Sequence, residues 1–326
     1  MSSTPMLLLN AQDVAQAAPS LPEIIDLVED AYRQDAAGQV EVPAKIGVHP
    51  NGKNFLHAMP AWVAGSGALG LKWVSLFPGN SQHGLPDSSA LIVLNDPENG
   101  LPAALIEGMW VTYARTGACA ALAAKYCAKP DPRKLGLVGC GGLGEWSLRA
   151  LFAAIPSLEE VSVSSARPET RQSFCSRMAG RGFGRLSAVD SAEGAVRGMD
   201  IVVSAVPKHV HPPIEGKWWD PGTLVVPLDV TAAWDDETYL MADRLVCDHP
   251  ENLAHAIQRY RPGLAADSSR ITTMQSLVDR GLSPGDRSHG RTLAFMTGIG
   301  SLDMVIAWEI FRRAKVLGLG QFFQLY

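Results

Sequence analysis

A glycine-rich segment near the middle of the chain has the clearest potential for chemistry. It reads Gly139-Cys140-Gly141-Gly142-Leu143-Gly144, with an apolar run from Leu135 to Val138 before it and a helical pattern from Glu145 to Ala154 after it. In a strand, turn and helix of this form, the first glycine permits the turn and the second lets backbone N–H groups approach a pyrophosphate. The third permits close contact between helix and strand. The segment therefore predicts a dinucleotide site, formed by Gly139, Gly141, Gly142, Leu143 and Gly144.

The surrounding elements support this interpretation over an incidental glycine turn. Two further β-rich runs follow, Val161 to Ser164 and Ile201 to Ala205, and a helical stretch separates them. This spacing is typical of the βαβαβ half of a nucleotide-binding fold. We therefore predict an α/β fold class with a Rossmann doubly wound parallel sheet.

The residues after the second predicted strand bear on the choice of nicotinamide cofactor. An acidic residue there would bind the ribose hydroxyl and repel a phosphate. This chain instead has Ser164, Ser165 and Arg167, and two hydroxyls with a guanidinium suit a phosphate. The cofactor is predicted to be NAD(P)H, with NADPH preferred over NADH. The alternative is that Arg167 is a solvated residue in the first turn of a helix.

Composition excludes several other classes of protein. The chain has 326 residues, of which 47% are apolar, and a formal net charge of −5 without a basic cluster. These values argue against nucleic acid or an anionic membrane as a partner and favour a small-molecule ligand. The N-terminal segment Met1 to Pro5 lacks a basic stretch followed by a long apolar one, so a cytoplasmic protein is expected. Five cysteines without C-x-x-C pairing predict buried thiols, with neither a disulfide framework nor a metal site.

The pattern along the chain predicts two domains, one of them discontinuous. A helix begins at a capping box, Ser20 to Glu23, and short β-like runs then alternate with Pro and Gly turns up to Ile106, which favours an antiparallel sheet. An alanine-rich helix covers Thr112 to Ala128, and the last long helix, Ser301 to Leu317, follows the nucleotide-binding region. We expect that last helix to return to the first domain. The predicted domains are 1–113 with 304–326, and 114–303.

Several segments outside the glycine turn resemble one family. They are Pro43-Ala44-Lys45-Ile46-Gly47, Gly70-Leu71-Lys72-Trp73, the run from Asn95 to Ala103, and Ala114-Arg115-Thr116-Gly117-Ala118. Together they resemble the ornithine cyclodeaminase/μ-crystallin family over nearly the full length. The resemblance implies a discontinuous α+β domain for substrate binding and dimerisation, a homodimer, and an active site in the cleft against the Rossmann domain. It also implies an amino, imino or keto acid substrate and chemistry at carbon–nitrogen bonds.

The same resemblance suggests roles for five residues. Arg115 matches the arginine that binds the substrate carboxylate, and a guanidinium suits that task because it donates two parallel hydrogen bonds. Lys72 matches a lysine near the reacting centre, where it would neutralise the carboxylate or exchange a proton, and Lys45 stands where many members have an arginine. Asp229 matches the aspartate that moves the proton in catalysis, and Thr116 is expected to contact the cofactor. Three of them also have a structural alternative: Arg115 as a helix-start arginine paired with a surface carboxylate, Lys72 as a solvated strand lysine, and Asp229 as a turn-forming aspartate.

Three functions follow from these expectations. The first is an NAD(P)H-dependent reductase of an α-imino acid or cyclic ketimine, running reversibly as an amino-acid dehydrogenase. The second is a deaminating lyase of the ornithine cyclodeaminase type that recycles NAD. It is disfavoured because the run from Val230 to Trp234 replaces the proline-glycine-lysine run of the cyclodeaminase. The third is a nucleotide-binding protein without catalysis, as in crystallins.

Overall fold

The computed structural model describes residues 5–52, 54–206, 214–230, 233–261, 264 and 270–325. The N-terminal Met1 to Thr4, and Thr231 with Ala232 in the run after Asp229, lie outside the described residues. The chain divides into two compact units. Unit 1 runs to Arg115 and resumes at Ile299, and unit 2 comprises Thr116–Gly298. The sequence places these boundaries at 113/114 and 303/304, two and five residues away.

The helices and strands follow in chain order. They are β1 (Met6–Leu9), α1 (Ala11–Ala17), α2 (Leu21–Ala36), β2 (Val40–Glu41), β3 (Ile46–Val48), β4 (Phe55–Val63), β5 (Ala68–Leu76), β6 (Ser88–Asn95), β7 (Pro102–Glu107), α3 (Met109–Cys127), β8 (Lys134–Val138), α4 (Gly142–Ala154), β9 (Glu160–Ser164), α5 (Pro168–Met178), β10 (Arg185–Ala188), β11 (Ile201–Ser204), β12 (Leu224–Pro227), α6 (Asp236–Met241), β13 (Arg244–Cys247), α7 (Pro250–Tyr260), β14 (Ile271–Thr273), α8 (Met274–Arg280), α9 (Pro284–His289), β15 (Thr292–Phe295), α10 (Gly300–Leu317) and β16 (Gln321–Phe323).

Unit 1 is an α+β unit built on one sheet. Its strand order is β16-β1-β7-β6-β5-β4-β2, with β3 paired to β4, and the strands from β4 to β7 are antiparallel as predicted. Helix α10 packs on β4, β5 and β6 and also contacts α2. The predicted capping box is present at Ser20 and Glu23, where α2 begins.

The register of this sheet separates a buried row from an exposed one. Met59, Lys72, Ile92 and Ile106 pair across β4 to β7, and all four are buried. The neighbouring row on the opposite face contains Ile46, Trp73 and Leu91, all exposed. Because successive residues of a strand face opposite sides of the sheet, the orientation of β5 that buries Lys72 also exposes Trp73.

Unit 2 is a doubly wound parallel sheet. Its strand order is β10-β9-β8-β11-β12-β15-β13-β14, and every pair in it is parallel. The first five strands of this order have the Rossmann arrangement, in which the chain starts in the middle and winds outward in both directions. Strands β11, β12 and β15 are buried at every position, as expected for a sheet covered by helices on both faces. The predicted fold class is confirmed.

The cysteines follow the prediction only in part. All five are free, and Cys119, Cys127 and Cys247 are buried. The prediction of buried thiols is wrong for Cys140 and Cys175, which are partly exposed because one lies in the glycine turn and the other on α5. In the stretches of chain that the structure describes, no helix is both long and apolar enough to cross a bilayer.

Candidate active site

Lys72 is a fully buried cation of unit 1. Its side chain points from β5 into the core, and its Nζ donates to Oδ1 of Asp303 at 2.7 Å and to Oγ1 of Thr112 at 3.4 Å. The lysine and the aspartate side chains are both fully buried. Burial of an unpaired ammonium would be highly unfavourable, so this carboxylate explains how the core accommodates the lysine.

Arg115 reaches the same carboxylate from α3. Its Nε donates to Oδ1 of Asp303 at 3.1 Å, and the residue is almost completely buried. Asp303 lies in the first turn of α10, which starts close to β4 because Gly300 has no side chain; a Cβ there would lie 2.7 Å from the Met59 carbonyl oxygen. The second carboxylate oxygen of Asp303 is buried without a hydrogen-bond partner among the described residues.

These neighbours give Lys72 an unusual protonation equilibrium. Burial and the positive charge of Arg115 lower the pKa of Lys72 to about 7, although the charge and hydrogen bond of Asp303 raise it. The charge of Lys45, a partly exposed residue just before β3, lowers the pKa of Lys72 further. The amine therefore exchanges protons near neutral pH. The structure brings together Lys45, Lys72 and Arg115, the three cations that the family resemblance suggests for the substrate.

In unit 2, the glycine turn has the geometry that a pyrophosphate site needs. Gly139 follows β8 with φ of +114°, and a Cβ there would lie 2.4 Å from the Ala205 carbonyl oxygen. A Cβ on Gly144 would lie 2.2 Å from the Gly139 carbonyl oxygen, whereas one on Gly141 would meet nothing within 4 Å. Gly141 is the N-cap of α4 and supplies no side-chain cap, so the first N–H groups of that helix are available to an anion. These residues fit a dinucleotide.

The segment after β9 contains the residues predicted to select the cofactor. Ser164 is buried, and its carbonyl accepts the Gly139 N–H at 2.9 Å. Ser165 is partly exposed and Arg167 is exposed, so these two side chains are the ones accessible to a ligand. Arg171 is buried beneath them and donates to the Ser165 carbonyl at 3.1 Å. Arg167 lines a pocket of about 490 Å³ beside the glycine turn, together with Cys140, Glu169, Thr170, Ser173 and Arg177. Thr116 is buried on α3.

Asp229 lies in the turn that follows β12. Its Oδ2 accepts the Val206 N–H at 3.2 Å, and its Oδ1 is buried without a partner in the described part of the chain. Burial raises the pKa of Asp229 to about 6, although hydrogen bonds from Val206 and Ser204 act in the opposite direction. A carboxyl group with this pKa can give and take a proton near neutral pH.

The turn at Asp229 is strained. Val230, the next residue, has a φ of +62°, in the left-handed region that a β-branched side chain rarely adopts. Its N–H donates to the Pro227 carbonyl at 3.0 Å, which closes the turn. Backbone strain of this kind persists where the surrounding structure imposes it, often at functional sites.

A family model covers nearly the whole chain. The model of the ornithine cyclodeaminase/mu-crystallin family matches residues 5–315. The chain belongs to the ornithine cyclodeaminase/mu-crystallin family. Within the family, it is 32% identical over 263 residues to a Delta(1)-pyrroline-2-carboxylate reductase of Paracoccus denitrificans, covering 77% of this chain and 81% of the reductase.

Two solved structures of high similarity extend the family comparison. One is the Delta(1)-pyrroline-2-carboxylate reductase of Thermococcus litoralis in complex with NADH and L-proline, with a TM-score of 0.87 and 29% identity, covering 97% of this chain and 99% of that one. The other is an archaeal alanine dehydrogenase dimer with bound NAD, with a TM-score of 0.87 and 27% identity, covering 99% of this chain and 100% of that one.

One acidic residue joins the two buried cations of unit 1. Asp303 is the shared partner of Lys72 and Arg115, 231 and 188 positions away along the chain. Its place in the first turn of a helix was visible in the sequence, but an acidic residue is common there for electrostatic reasons alone.

Proposed function

We propose that this protein is an NAD(P)H-dependent oxidoreductase of carbon–nitrogen bonds. It reduces the C=N bond of an α-imino acid or cyclic ketimine to an amino acid and catalyses the reverse oxidation. The observation that carries the proposal is the buried pair of cations, Lys72 and Arg115, which share the single carboxylate of Asp303. This arrangement suits the binding of one further carboxylate, that of the substrate.

Arg115 and Lys72 have different tasks in this proposal. The guanidinium of Arg115 is permanently charged and orients the substrate carboxylate. Lys72, with its pKa near 7, adds a positive charge when the acid binds, because a nearby anion favours the protonated amine. Lys45 contributes to the potential around Lys72.

Asp229 is the proposed acid and base. When the cofactor is bound, the reduced nicotinamide supplies a hydride to the imine carbon. The reacting nitrogen then needs a proton, which Asp229 donates from Oδ1, the oxygen without a partner among the described residues. In the oxidative direction the same oxygen accepts the proton.

The residues proposed to hold the cofactor are those of the glycine turn, together with Thr116 on α3. Gly141 and Gly142 present the backbone N–H groups at the start of α4, and Gly139 and Gly144 permit the close packing that shapes the turn. The related reductases and the NAD-bound alanine dehydrogenase support a nicotinamide cofactor.

A substrate panel tests the reaction. Pyrroline and piperideine carboxylates, and pyruvate or glyoxylate with ammonia or methylamine, are each mixed with NADPH or NADH. We expect oxidation of the cofactor with at least one member and an amino acid as product. Absence of cofactor oxidation across the panel would overturn the proposal. Release of ammonia from ornithine without net cofactor oxidation would identify the cyclodeaminase reaction instead.

We also propose that NADPH is preferred over NADH. The support is the pocket beside the glycine turn, which is lined by the Arg167 guanidinium, with the partly exposed Ser165 two residues before it. A phosphate on the ribose would bind to these groups, and no acidic side chain follows β9 directly to repel it. The ratio of kcat/KM for the two cofactors measures the preference, and a ratio favouring NADH would contradict it.

A homodimer is the proposed assembly. The outer face of the unit 1 sheet exposes Ile46 (67%), Val48 (58%), Trp73 (41%) and Leu91 (48%), an apolar patch of the kind that subunit contacts cover. The archaeal alanine dehydrogenase is a dimer and supports this assignment. Light scattering should give twice the 34.9 kDa chain mass, and Trp73→Glu should reduce it to the mass of one chain.

The proposed compartment is the cytoplasm. The support is the set of five free cysteines, since thiols persist in a reducing compartment. Cell fractionation with an antibody to the protein tests this assignment.

A further inference from the structure

Two histidines lie on the face of the unit 1 sheet that carries Lys72. On β4, His57 is two residues before Met59, and Met59 pairs with Lys72 across the register of β4 and β5. Residues two apart on a strand point to the same face and are separated by about 7 Å. The imidazole of His57 therefore extends from the same face as the Lys72 side chain, one row away in the sheet.

The ring of His57 is held in place by three neighbours. Its Nε2 lies 3.1 Å from the Nε2 of His49, and the Phe55 ring stacks on it with the two centroids 4.2 Å apart. Gly47 is the residue paired with His57, and a Cβ on this glycine would lie 2.5 Å from the Cδ2 of the imidazole. The glycine therefore leaves the space that the ring occupies. His57 is partly exposed and His49 is exposed, so a ligand can reach the pair.

The contact between the two Nε2 atoms determines what the histidine pair can bind. Between two neutral rings, one Nε2 donates this hydrogen bond and the other accepts it. When the accepting ring takes up a proton, both Nε2 atoms carry a hydrogen and both become donors. An anion placed between the two rings then accepts from each, and the two oxygens of a carboxylate suit this arrangement.

The charges on this face favour an acidic ligand group over an amine. Lys72 and Arg115 share the carboxylate of Asp303. With the histidine pair protonated, these groups carry three positive charges and one negative charge. A ligand with two carboxylates supplies the two negative charges that balance them, whereas an amine would add a further positive charge.

We propose that His49 and His57 form the subsite for the substrate side chain, and that the substrate is an imino acid with a second carboxylate. The inference rests on the proposed function, in which Arg115 and Lys72 bind the α-carboxylate. The separation of about 7 Å between the two rows suits a chain of about four or five carbon atoms with a carboxylate at each end. The distal carboxylate accepts from both Nε2 atoms, and its binding adds one proton to the pair.

Binding of unreactive acids tests the subsite without turnover. Calorimetry in the presence of NADPH compares glutarate, butyrate and δ-aminovalerate, in buffers that differ in their enthalpy of ionisation. We expect glutarate to bind about tenfold more tightly than butyrate, because its second carboxylate accepts two charge-assisted hydrogen bonds, and to take up more protons per molecule bound. Equal affinities for glutarate and butyrate, or tighter binding of δ-aminovalerate than of butyrate, would overturn the inference.

Three leucine variants assign the preference to the pair. His57→Leu and His49→Leu each remove one donor, and His255→Leu is the matched control because His255 is an exposed histidine on α7 of unit 2. Each of the first two should reduce the preference for glutarate over butyrate to less than about threefold, and the control should keep the wild-type preference. Butyrate binding shows that a variant is folded. A wild-type preference retained in folded His57→Leu would overturn the inference, and if that variant does not fold, the three acids on the wild-type protein decide it.

Turnover separates this inference from the proposed function. With ammonia and NADPH, kcat/KM for α-ketoglutarate should exceed that for α-ketobutyrate by about tenfold, and His57→Leu should lose this difference. Glutarate binding that depends on the two histidines, without cofactor oxidation by any imine, would overturn the reductase function alone. Cofactor oxidation by imines, without any preference for glutarate over butyrate, would overturn the subsite alone.

Discussion

Replacement of Asp229 by asparagine should increase the stability of the folded protein above pH 6. Burial raises the pKa of Asp229 from 3.8 to about 6 in the folded state. The folded protein thus binds the proton more tightly than the unfolded chain does, so the unfolding free energy falls as pH rises between those two values. The difference of about two units corresponds to about 3 kcal/mol. Asparagine does not ionise, but its amide leaves a buried donor unsatisfied at about 1 kcal/mol, so we expect a net gain of about 2 kcal/mol.

Urea unfolding of the wild type and Asp229→Asn over a series of pH values measures this gain. It should be largest at about pH 8 and become a loss of about 1 kcal/mol at about pH 3, where both states of the wild type are mostly protonated and only the cost of the unsatisfied amide remains. Asp200→Asn is the control of opposite sign, because hydrogen bonds from Lys129 and from the Arg133 and Lys134 backbones lower the pKa of Asp200. That variant should lose stability at neutral pH. A gain for Asp229→Asn that does not depend on pH would refute the reasoning.

Four further outcomes are expected. Asp303→Asn should lower the pKa of Lys72 below about 7, because the carboxylate that raises this pKa is lost. The KM for the acid substrate should rise about tenfold, and the dependence of KM on pH measures both effects. Val230→Gly should relieve the strain of the left-handed backbone and raise the free energy of unfolding by about 1 kcal/mol. We expect kcat to fall, because the turn is less constrained. An unchanged melting temperature would contradict the assignment of strain to Val230. Arg167→Ala should lower kcat/KM for NADPH about thirtyfold, since one charge-assisted contact is lost. The kcat/KM for NADH should stay within about threefold of the wild-type value. Gly144→Ala, whose Cβ would lie 2.2 Å from a carbonyl oxygen, should weaken cofactor binding more than about tenfold in a fluorescence titration.

The local features of the site were predictable from the sequence. The glycine turn, the strand before it and the helix after it depend on neighbouring residues, and the structure has them where the pattern indicated. The same is true of the capping box of α2. Such features need no knowledge of distant parts of the chain, because glycine geometry and helix capping are determined within one or two turns.

The face on which Lys72 lies could not be derived from alternation alone. In β5 the set Leu69, Leu71 and Trp73 is more apolar than the set that contains Lys72, so periodicity alone would favour burial of the wrong face. The structure buries Lys72 because α10 covers that side and Asp303 supplies a counter-charge. Only the family motif pointed to the lysine.

The contacts around Asp229 were beyond sequence reasoning for a different reason. Trp234 reaches Ser204 across 30 positions, from a segment after one strand to the end of another. Which side chains meet there depends on the order of strands in the sheet and on the path of the connection, neither of which a periodicity contains. Buried hydrogen bonds between distant positions emerge only with the tertiary structure.

The cluster around Asp303 has a consequence for handling the protein. One carboxylate faces two cationic side chains, so the cluster gains by releasing a proton from Lys72 or by admitting an anion. Ligand uptake and proton uptake are therefore linked, and acids should bind more tightly as the medium becomes more acidic through neutrality. Acetate, citrate and similar buffer ions would compete for this position, and their choice would alter the apparent affinity for every natural acid.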